Sequence, residues 1–526
     1  MNGGKEKKME WGSRVGVILA VSGSAVGLGN FLRFPGQAAA HGGGAFMIPY
    51  ICALLFLALP IGWAEWAMAR HGGRKGFHSG PAIIGVAGRG RLMRYLGVLS
   101  VLIPIVVYMY YVYIEAWCLR YAWEYLSGGV QLTGSIEHQV AASKEFFGRA
   151  TGTNADGVIN TSAAFWLVVV TLNIVLVYRG LKGGIEKFCQ FALPAMAVLA
   201  IIVLIRMLTL GTPNPAFPDQ NVLNGLGSLW NPDYSKLSDF DTWLAAAGQI
   251  FFSLSVGFGV ILNYASYLKK KDDIALSSFT ASATNELFEV GFGGLITITA
   301  AFIFLGASGI GAGFGLGFQT LPVVFQQMGG AGRWIGFAWF FLLFLAAITS
   351  SISMLQPGKT FVEETLGCSS GKAITLISVL CGLGSLWVIW FSKNTVALDT
   401  MDFWVGTFCI FLLATVQIIS FGWIWGLDKG AKELDQGALL KIPRFFFFIM
   451  KYVAPAYLLV VLGGFIFWPQ SDTGMSSFAL KDTAGNPVAL YTVAIIGVVL
   501  AILLALVAIG ERRWRAAGLD LDGDQP

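Results

Sequence analysis

Apolar runs of membrane-spanning length recur along the whole chain, from Val15 to Ile509. We count twelve such runs, each close to the roughly 17–25 residues that an α-helix needs to cross a bilayer. Only 12% of the 526 residues are charged, about half the share of a soluble protein, roughly 25%. The sequence therefore predicts an all-α integral membrane protein. It leaves no room for the separate soluble domain that an ATP-driven pump or a receptor with a large ectodomain needs.

The predicted spans are separated by short polar segments. They cover residues 13–38, 45–70, 95–127, 163–180, 188–211, 242–268, 276–305, 334–364, 372–391, 397–425, 446–468 and 490–510.

The distribution of basic residues predicts the orientation in the membrane. Most of the 35 lysines and arginines lie at the N-terminus and in the segments on its side of the spans. Because such segments stay in the cytoplasm, we expect both termini to be cytoplasmic and the protein to lie in the plasma membrane. The basic residues sit at span ends rather than in one patch, so we expect a lipid bilayer and no nucleic acid as partner.

Two spans contain glycines and small polar residues at mid-membrane depth. The segment Gly23–Asn30 interrupts the first span and the segment Ser253–Gly259 interrupts the sixth. Irregular backbone at this depth is tolerated only where it is buried in protein or lines a cavity. The spacing suits two inverted five-helix repeats, at 13–211 and 242–425, followed by two trailing spans at 446–510. Close helix packing through small residues is the alternative for either span alone.

A broken span offers the two kinds of group that a zwitterion needs. The free N–H groups of one half-helix suit a carboxylate, and the free carbonyls of the other suit an ammonium group or a cation. Sodium prefers hard oxygen ligands, and neutral ones occur at the right depth. They are Asn30, Ser253, Asn285, Thr349 and Ser350.

Ionisable residues inside a membrane are costly and usually functional. Those within the predicted spans include Arg33, Glu65, Glu115, Glu289 and Asp402. Arg33 follows the first break by one turn, so we expect it to pair with Asp402 near the outer end of span ten.

Three other classes of function share some of these features. A cation channel, or an amino-acid-gated membrane sensor of the same fold, remains the alternative to a transporter. A channel needs repeated filter elements or rings of charge, whereas both breaks here converge on one site. A membrane enzyme is disfavoured because the sequence has no HExxH or P-loop motif, and its four histidines are scattered.

Several motifs resemble the neurotransmitter:sodium symporter family, in its bacterial amino-acid branch. The resemblance spans about residues 11–513. It is carried by Ser24–Pro35 (SAVGLGNFLRFP), Gly42–Phe46 (GGGAF), Tyr110–Glu115 (YYVYIE), Gly248–Ser255 (GQIFFSLS), Thr349–Ile352 (TSSI) and Met401–Trp404 (MDFW). The resemblance implies a sodium-driven symporter of small to medium neutral amino acids that works by alternating access and has no organic cofactor.

The resemblance also implies a set of site residues. The substrate would contact Ser24, Ala25, Gly27, Leu28, Gly29, Val107, Tyr111, Phe252, Ser253, Ser255, Phe258, Ser350 and Met354. Ser24, Ser253 and Met354 depart from the asparagine, threonine and isoleucine of relatives, so the preferred side chain stays open.

Two sodium ions and two gates follow from the same resemblance. The first ion would bind Ala25, Asn30, Ser253 and Asn285, and the second Gly23, Val26, Ala346, Thr349 and Ser350. Arg33 with Asp402 would form the outer gate. Lys8, Glu364, Trp11 and Tyr267 would form the inner gate, where lysine and glutamate replace the arginine and aspartate of relatives.

Glu289 is expected to replace chloride. Many members of the family need chloride beside the first sodium, where a serine stands at the position of Glu289. Here Glu289 follows Asn285 by four residues, so both side chains project from one helix face. We expect transport to be independent of chloride. A homodimer is possible.

Overall fold

The computed structural model describes residues 11–157, 162–213, 215–306, 313–467 and 485–521. Lys8 lies outside these residues. The α-helices of the first half are α1 Arg14–Ala25, α2 Phe34–Ala40, α3 Met47–Ala53, α4 Leu59–Arg74, α5 Gly80–Ala87, α6 Arg91–Leu96, α7 Leu99–Ser127, α8 Ile136–Thr151, α9 Ser162–Tyr178, α10 Lys187–Leu208, α11 Val222–Trp230 and α12 Phe240–Leu254.

The second half continues in the same manner. Its α-helices are α13 Val260–Ala265, α14 Ile274–Glu286, α15 Gly294–Leu305, α16 Gly313–Gly315, α17 Leu321–Gln327, α18 Gly332–Leu366, α19 Ser370–Trp390, α20 Val396–Met401, α21 Ile410–Ile419, α22 Leu427–Asp435, α23 Arg444–Phe448, α24 Ala454–Phe467 and α25 Pro487–Ala516.

Short π-helical turns continue several of these helices. They cover Gly29–Arg33, Leu54–Ala58, Leu181–Glu186, Leu287–Gly293, Leu316–Thr320, Asp402–Cys409, Ser420–Gly426 and Ile449–Val453. Turns of 3₁₀-helix cover Gly44–Phe46, Tyr234–Ser238, Gly329–Ala331 and Lys393–Thr395.

The all-helical membrane class is confirmed. Within the described ranges, nine helical stretches are long and apolar enough to cross a membrane, and the pair Arg14–Ala25 and Gly29–Ala40 makes a tenth, bent by 47°. The predicted fourth span corresponds to the shorter α9, and the sixth to α12 followed by α13. The number twelve and the boundaries of the two repeats stay predictions.

The first span breaks at Val26, as expected from its glycine-rich sequence. Ser13 caps the N-terminus of α1, since its hydroxyl accepts a hydrogen bond from the Gly16 amide. The helix ends at Ala25, and Val26 takes an extended conformation (φ −70°, ψ 100°) before the π turn that starts at Gly29.

The second break lies between α12 and α13 and needs left-handed backbone. Ser255, Gly257 and Gly259 have φ of 53°, 70° and 96°. A Cβ on Gly259 would lie 2.1 Å from the Ser100 carbonyl oxygen, so only glycine fits this turn. The buried Glu65 carboxylate stabilises the break by accepting hydrogen bonds from the Gly257 amide (3.1 Å) and the Gln417 side chain (2.7 Å).

The centre of the molecule is built on α7 and α18, which pack along each other. Almost every residue of these helices is buried, and they hold Tyr111 and Ser350 against the first break. By contrast, α25 exposes Leu490, Val498 and Ile502, as a lipid-facing helix does. We call the side that carries Trp11 the inner side, in line with the predicted orientation.

Candidate substrate and sodium site

The two breaks meet in the centre of the molecule. The Ser255 hydroxyl donates a hydrogen bond to the Ser24 carbonyl (3.2 Å), and the Ser350 hydroxyl donates to the same carbonyl (3.2 Å). One carbonyl freed by the first break is therefore shared by hydroxyls from the sixth and eighth spans. This convergence is what the broken-span interpretation requires.

A small cavity of about 20 Å³ lies where the breaks meet. Its lining contains eleven of the thirteen residues expected at the substrate, together with Asn30; the lining is Ser24, Ala25, Gly27, Gly29, Asn30, Tyr111, Phe252, Ser253, Ser255, Phe258, Ser350 and Met354. Leu28 instead lines a second cavity above it. Val107 is fully buried and lines neither cavity, so its expected place on the pocket wall stays a prediction.

One end of this cavity suits a carboxylate. The Tyr111 hydroxyl accepts a hydrogen bond from the Leu28 amide at 3.2 Å. A Cβ on Gly27 would lie 2.9 Å from the Tyr111 hydroxyl and 3.0 Å from that of Ser350. Because Gly27 has no side chain, the space beside the amides that begin the second half-helix stays accessible to a ligand.

The expected residues of the first sodium site form one buried network. The Asn30 Nδ2 atom lies 2.8 Å from Asn285 Oδ1, and Asn285 Nδ2 lies 2.7 Å from the Ser253 hydroxyl. The three side chains are at most 1% exposed. Their neutral amide and hydroxyl oxygens are ligands that a hard monovalent cation accepts.

Glu289 belongs to the same network. Its carboxylate accepts hydrogen bonds from Asn30 Nδ2 (3.1 Å) and Gln249 Nε2 (2.8 Å), and also from the Ser253 hydroxyl. It is fully buried, and within the described part of the chain no cationic side chain bonds to it. Removing an unpaired carboxylate from water is costly, so a cation among the same oxygens would stabilise it.

Sequence reasoning missed a second carboxylate, Glu286. The Tyr50 hydroxyl donates a hydrogen bond to this carboxylate at 2.8 Å. Glu286 also accepts a longer hydrogen bond from Asn285 (3.4 Å). Its position directly after Asn285 was the available signal, but helical spacing alone does not show that Tyr50 reaches it.

The residues expected at the second sodium site converge on Ser350. Its hydroxyl lies 3.5 Å from the carbonyl oxygens of Gly23 and Val26 and 3.1 Å from that of Ala346. The Thr349 hydroxyl lies 3.0 Å from the same Ala346 carbonyl. Five neutral oxygens from the first and eighth spans thus come together; that they bind sodium stays a prediction from the family resemblance.

The outer gate differs from expectation. Both Arg33 and Asp402 lie in the described part of the chain, yet their ion pair is not formed. The Arg33 guanidinium lies 4.9 Å from the centre of the Phe252 ring, and Asp402 accepts a hydrogen bond from the Tyr110 hydroxyl (2.6 Å). All four side chains line an outer cavity of about 160 Å³. Arg33 and Asp402 thus have different partners around one cavity, a relationship that sequence proximity to the break could not show.

The described residues expected at the inner gate, Trp11, Tyr267 and Glu364, each contact a different part of the protein. The Trp11 indole donates to the Tyr264 carbonyl at 3.0 Å, so the start of the first span is fixed to α13. Tyr267 lies 3.4 Å from the Thr360 hydroxyl and stacks on His78. Glu364 accepts hydrogen bonds from His78 and Ser79, in the loop between α4 and α5. His78 and Ser79 were not predicted as gate residues.

A helical membrane protein with two broken spans around a polar, oxygen-rich site is a transporter by architecture. Comparison with known proteins identifies its family. The profile described as the sodium:neurotransmitter symporter family matches residues 8–133 and 124–510. The chain belongs to this family, as its motifs suggested, and is thus a sodium-dependent transporter and not an enzyme.

Individual relatives agree with this assignment. An uncharacterized sodium-dependent transporter of Methanocaldococcus jannaschii is 29% identical over 467 residues, covering 87% of this chain and 90% of the relative. The mouse sodium-dependent neutral amino acid transporter B(0)AT1 is 28% identical over 56% of this chain and 46% of its own length. The crystal structure of MhsT in complex with L-phenylalanine superposes with a TM-score of 0.74, at 27% identity over 86% of this chain and 99% of MhsT.

Proposed function

We propose that this protein is a sodium-coupled symporter of small to medium neutral, hydrophobic amino acids that works by alternating access. The observation that carries the proposal is the cavity where the two breaks meet, because it combines backbone donors, backbone acceptors and apolar walls. Transport of substrate with sodium is a property of the family; the amino-acid class is the proposed refinement.

The polar ends of the cavity support an amino-acid substrate. The amides of Leu28 and Gly29 and the Tyr111 hydroxyl would hold the carboxylate. The carbonyls of Ala25 and Phe252, with the Ser255 hydroxyl, would hold the ammonium group. These groups complement both charges of a zwitterion without a charged side chain.

The walls support a neutral, apolar side chain. Phe258, Phe252 and Met354 line the cavity, and no charged residue is among its described lining. A charged side chain bound there would be buried without a partner, which is costly. Met354 is flexible and adapts to side chains of different shape, so the site would tolerate a range of apolar substrates.

Two sodium ions would be bound as co-substrates. The first would lie among Asn30, Ser253, Asn285 and the substrate carboxylate, and the second among the oxygens around Ser350. The carboxylate would thereby link sodium to substrate directly. Glu289 would supply the negative charge beside the first ion, so that chloride is not required.

Related proteins support the same class of substrate. The B(0)AT1 relative is named as a neutral amino acid transporter, and the MhsT structure is titled as a complex with L-phenylalanine. We infer a plasma-membrane location with both termini in the cytoplasm from the basic-residue distribution, and a homodimer remains a possible assembly.

A binding screen tests the proposal. Purified protein is heated with each of the twenty amino acids, in sodium and in potassium, and the midpoint of unfolding is recorded. We expect leucine, methionine, valine or alanine to raise the midpoint in sodium only, because a ligand that binds the folded state stabilises it. Tight binding of glutamate or lysine would contradict the proposed pocket.

A further inference from the structure

The loop between α4 and α5 connects several elements on the inner side. We call residues Lys75–Ser79 the inner loop. Its Phe77 ring packs edge-on against Trp514 of α25 (5.9 Å), and Lys75 forms an ion pair with Asp520 (3.0 Å). The C-terminal segment therefore fixes one part of the inner loop. Another part contacts the ends of the sixth and eighth spans.

The inner loop binds the end of the eighth span through Glu364. This carboxylate accepts hydrogen bonds from the His78 amide (2.6 Å), the Ser79 amide (3.2 Å) and the Ser79 hydroxyl. Three donors from two neighbouring residues thus converge on one carboxylate.

The inner loop also binds the end of the sixth span. The His78 ring stacks on Tyr267, with centroids 4.2 Å apart and planes inclined by 5°. Its Nδ1 atom lies 2.9 Å from the Ser266 hydroxyl, and its carbonyl accepts from Asn263 Nδ2 at 3.0 Å. One residue therefore makes a ring contact and two hydrogen bonds to a single helical segment.

These contacts lie at the wall of the inner pathway. His78, Tyr267 and Glu364 all line an inner cavity of about 790 Å³. Thr360, whose hydroxyl lies 3.4 Å from that of Tyr267, is 2% exposed and does not line this cavity. The contact of Tyr267 with Thr360 therefore joins the cavity wall to a buried residue of the eighth span.

We propose that the inner loop closes the inner gate, with His78 and Ser79 holding the sixth and eighth spans together through Tyr267 and Glu364. This inference rests on the proposed alternating-access function, and it assigns gate residues to a loop outside the expected set. Opening toward the inner side would break the stack and the Glu364 bonds together, since both anchor the same loop.

Cysteine accessibility tests the proposal. The six native cysteines are replaced by serine or alanine, Thr360→Cys is introduced, and its labelling by a membrane-impermeant thiol reagent is timed in purified protein. We expect His78→Ala and Ser79→Ala each to raise the labelling rate about tenfold, the effect of losing about 1.4 kcal/mol of gate closure. His78→Phe, which keeps the ring stack, and Ser79→Thr, which keeps the hydroxyl, should stay within about twofold of the parent protein.

Two controls make the result decisive. His71→Ala removes another histidine that packs on an aromatic ring, Trp425 at 4.8 Å, and should leave labelling unchanged. Glu364→Gln keeps the shape of the side chain and replaces the alanine variants if these fail to fold. It too should raise the labelling rate of Thr360→Cys. Folded Ser79→Ala, His78→Ala or Glu364→Gln protein that labels at the parent rate would overturn the inference.

The assay also separates this inference from the proposed function. Labelling needs no substrate, so unchanged rates in the variants would remove the gate role and leave the amino-acid proposal standing. Wild-type protein that binds no neutral amino acid would contradict the proposed substrate and leave the labelling result valid.

Discussion

Asn30 Nδ2 lies 3.1 Å from Oε2 of Glu289, so the first broken span and the seventh-span carboxylate share one buried hydrogen-bond network. Neither residue is exposed. A cation bound by Asn30 would therefore lie close to a fixed negative charge. In such low-dielectric surroundings the interaction between the two charges is strong, which makes Glu289 the first residue to test.

Glu289→Ser should convert the protein to chloride-dependent uptake. The substitution removes the fixed charge and leaves a hydroxyl and free volume, where a chloride ion can compensate the first sodium. Wild-type uptake should be unchanged when gluconate replaces chloride. Uptake of a radiolabelled substrate into proteoliposomes, with each anion, measures both.

Glu286→Gln is the matched control for this experiment. Glu286 is the neighbouring carboxylate but bonds mainly to Tyr50, so its loss should leave uptake independent of chloride. Wild-type uptake that needs chloride, or Glu289→Ser protein that gains nothing from it, would contradict the charge-replacement role.

Sodium and substrate should raise each other's affinity by the same factor. The substrate carboxylate is proposed as a ligand of the first sodium, and linkage requires the effect to be reciprocal. Titration of substrate at several sodium concentrations, and of sodium at several substrate concentrations, gives the two factors. Equal substrate affinity in potassium and in sodium would refute the shared ligand.

Ser350→Ala should weaken sodium binding about tenfold, because a lost oxygen ligand costs on the order of 1.4 kcal/mol. Ser351→Ala is the adjacent control, since the Ser351 hydroxyl instead donates to Asn173 at 2.7 Å. Sodium titration followed by the unfolding midpoint measures both variants. Equal loss of sodium affinity in the two would point to helix disturbance rather than to a ligand.

Acid on the inner side should favour opening of the inner gate. Burial lowers the pKa of His78 from 6.5 to about 4. The closed state therefore binds fewer protons than an open state in which His78 is solvated. The contribution of His78 to closure is complete above pH 6.5 and is progressively lost as the pH falls toward 4. Labelling of Thr360→Cys, normalised to an exposed thiol, should rise across this interval.

Other charged groups face the same cavity, and they need a control. They are Arg74, Lys269, Lys359, Glu363, Glu364 and Arg513. His78→Phe keeps all of them and the ring stack while removing the titrating imidazole. It should abolish the rise of labelling in acid; an undiminished rise in this variant would assign the effect to a group other than His78.

The helical membrane class follows from the sequence because the bilayer imposes helix length and satisfies no backbone polar group. The breaks also follow, since the left-handed turn at Gly259 requires a residue without Cβ. The number of full-length spans does not follow so directly: α9 has 17 residues and α12 only 15. Hydropathy alone does not show where a helix ends inside an apolar run.

The residues of the functional sites also fall into two groups, those that the sequence predicts and those whose contacts only the structure reveals. The sequence by itself predicted the residues proposed for the two sodium sites, because neutral oxygen ligands occur at mid-membrane depth and the family motifs that imply the ligand sets are local stretches of sequence. Only the tertiary structure decided that Arg33 packs over Phe252 while Asp402 bonds to Tyr110, and that His78 reaches Tyr267. These contacts join helices far apart in the chain, and their geometry depends on how the helices pack, which no local pattern of residues encodes.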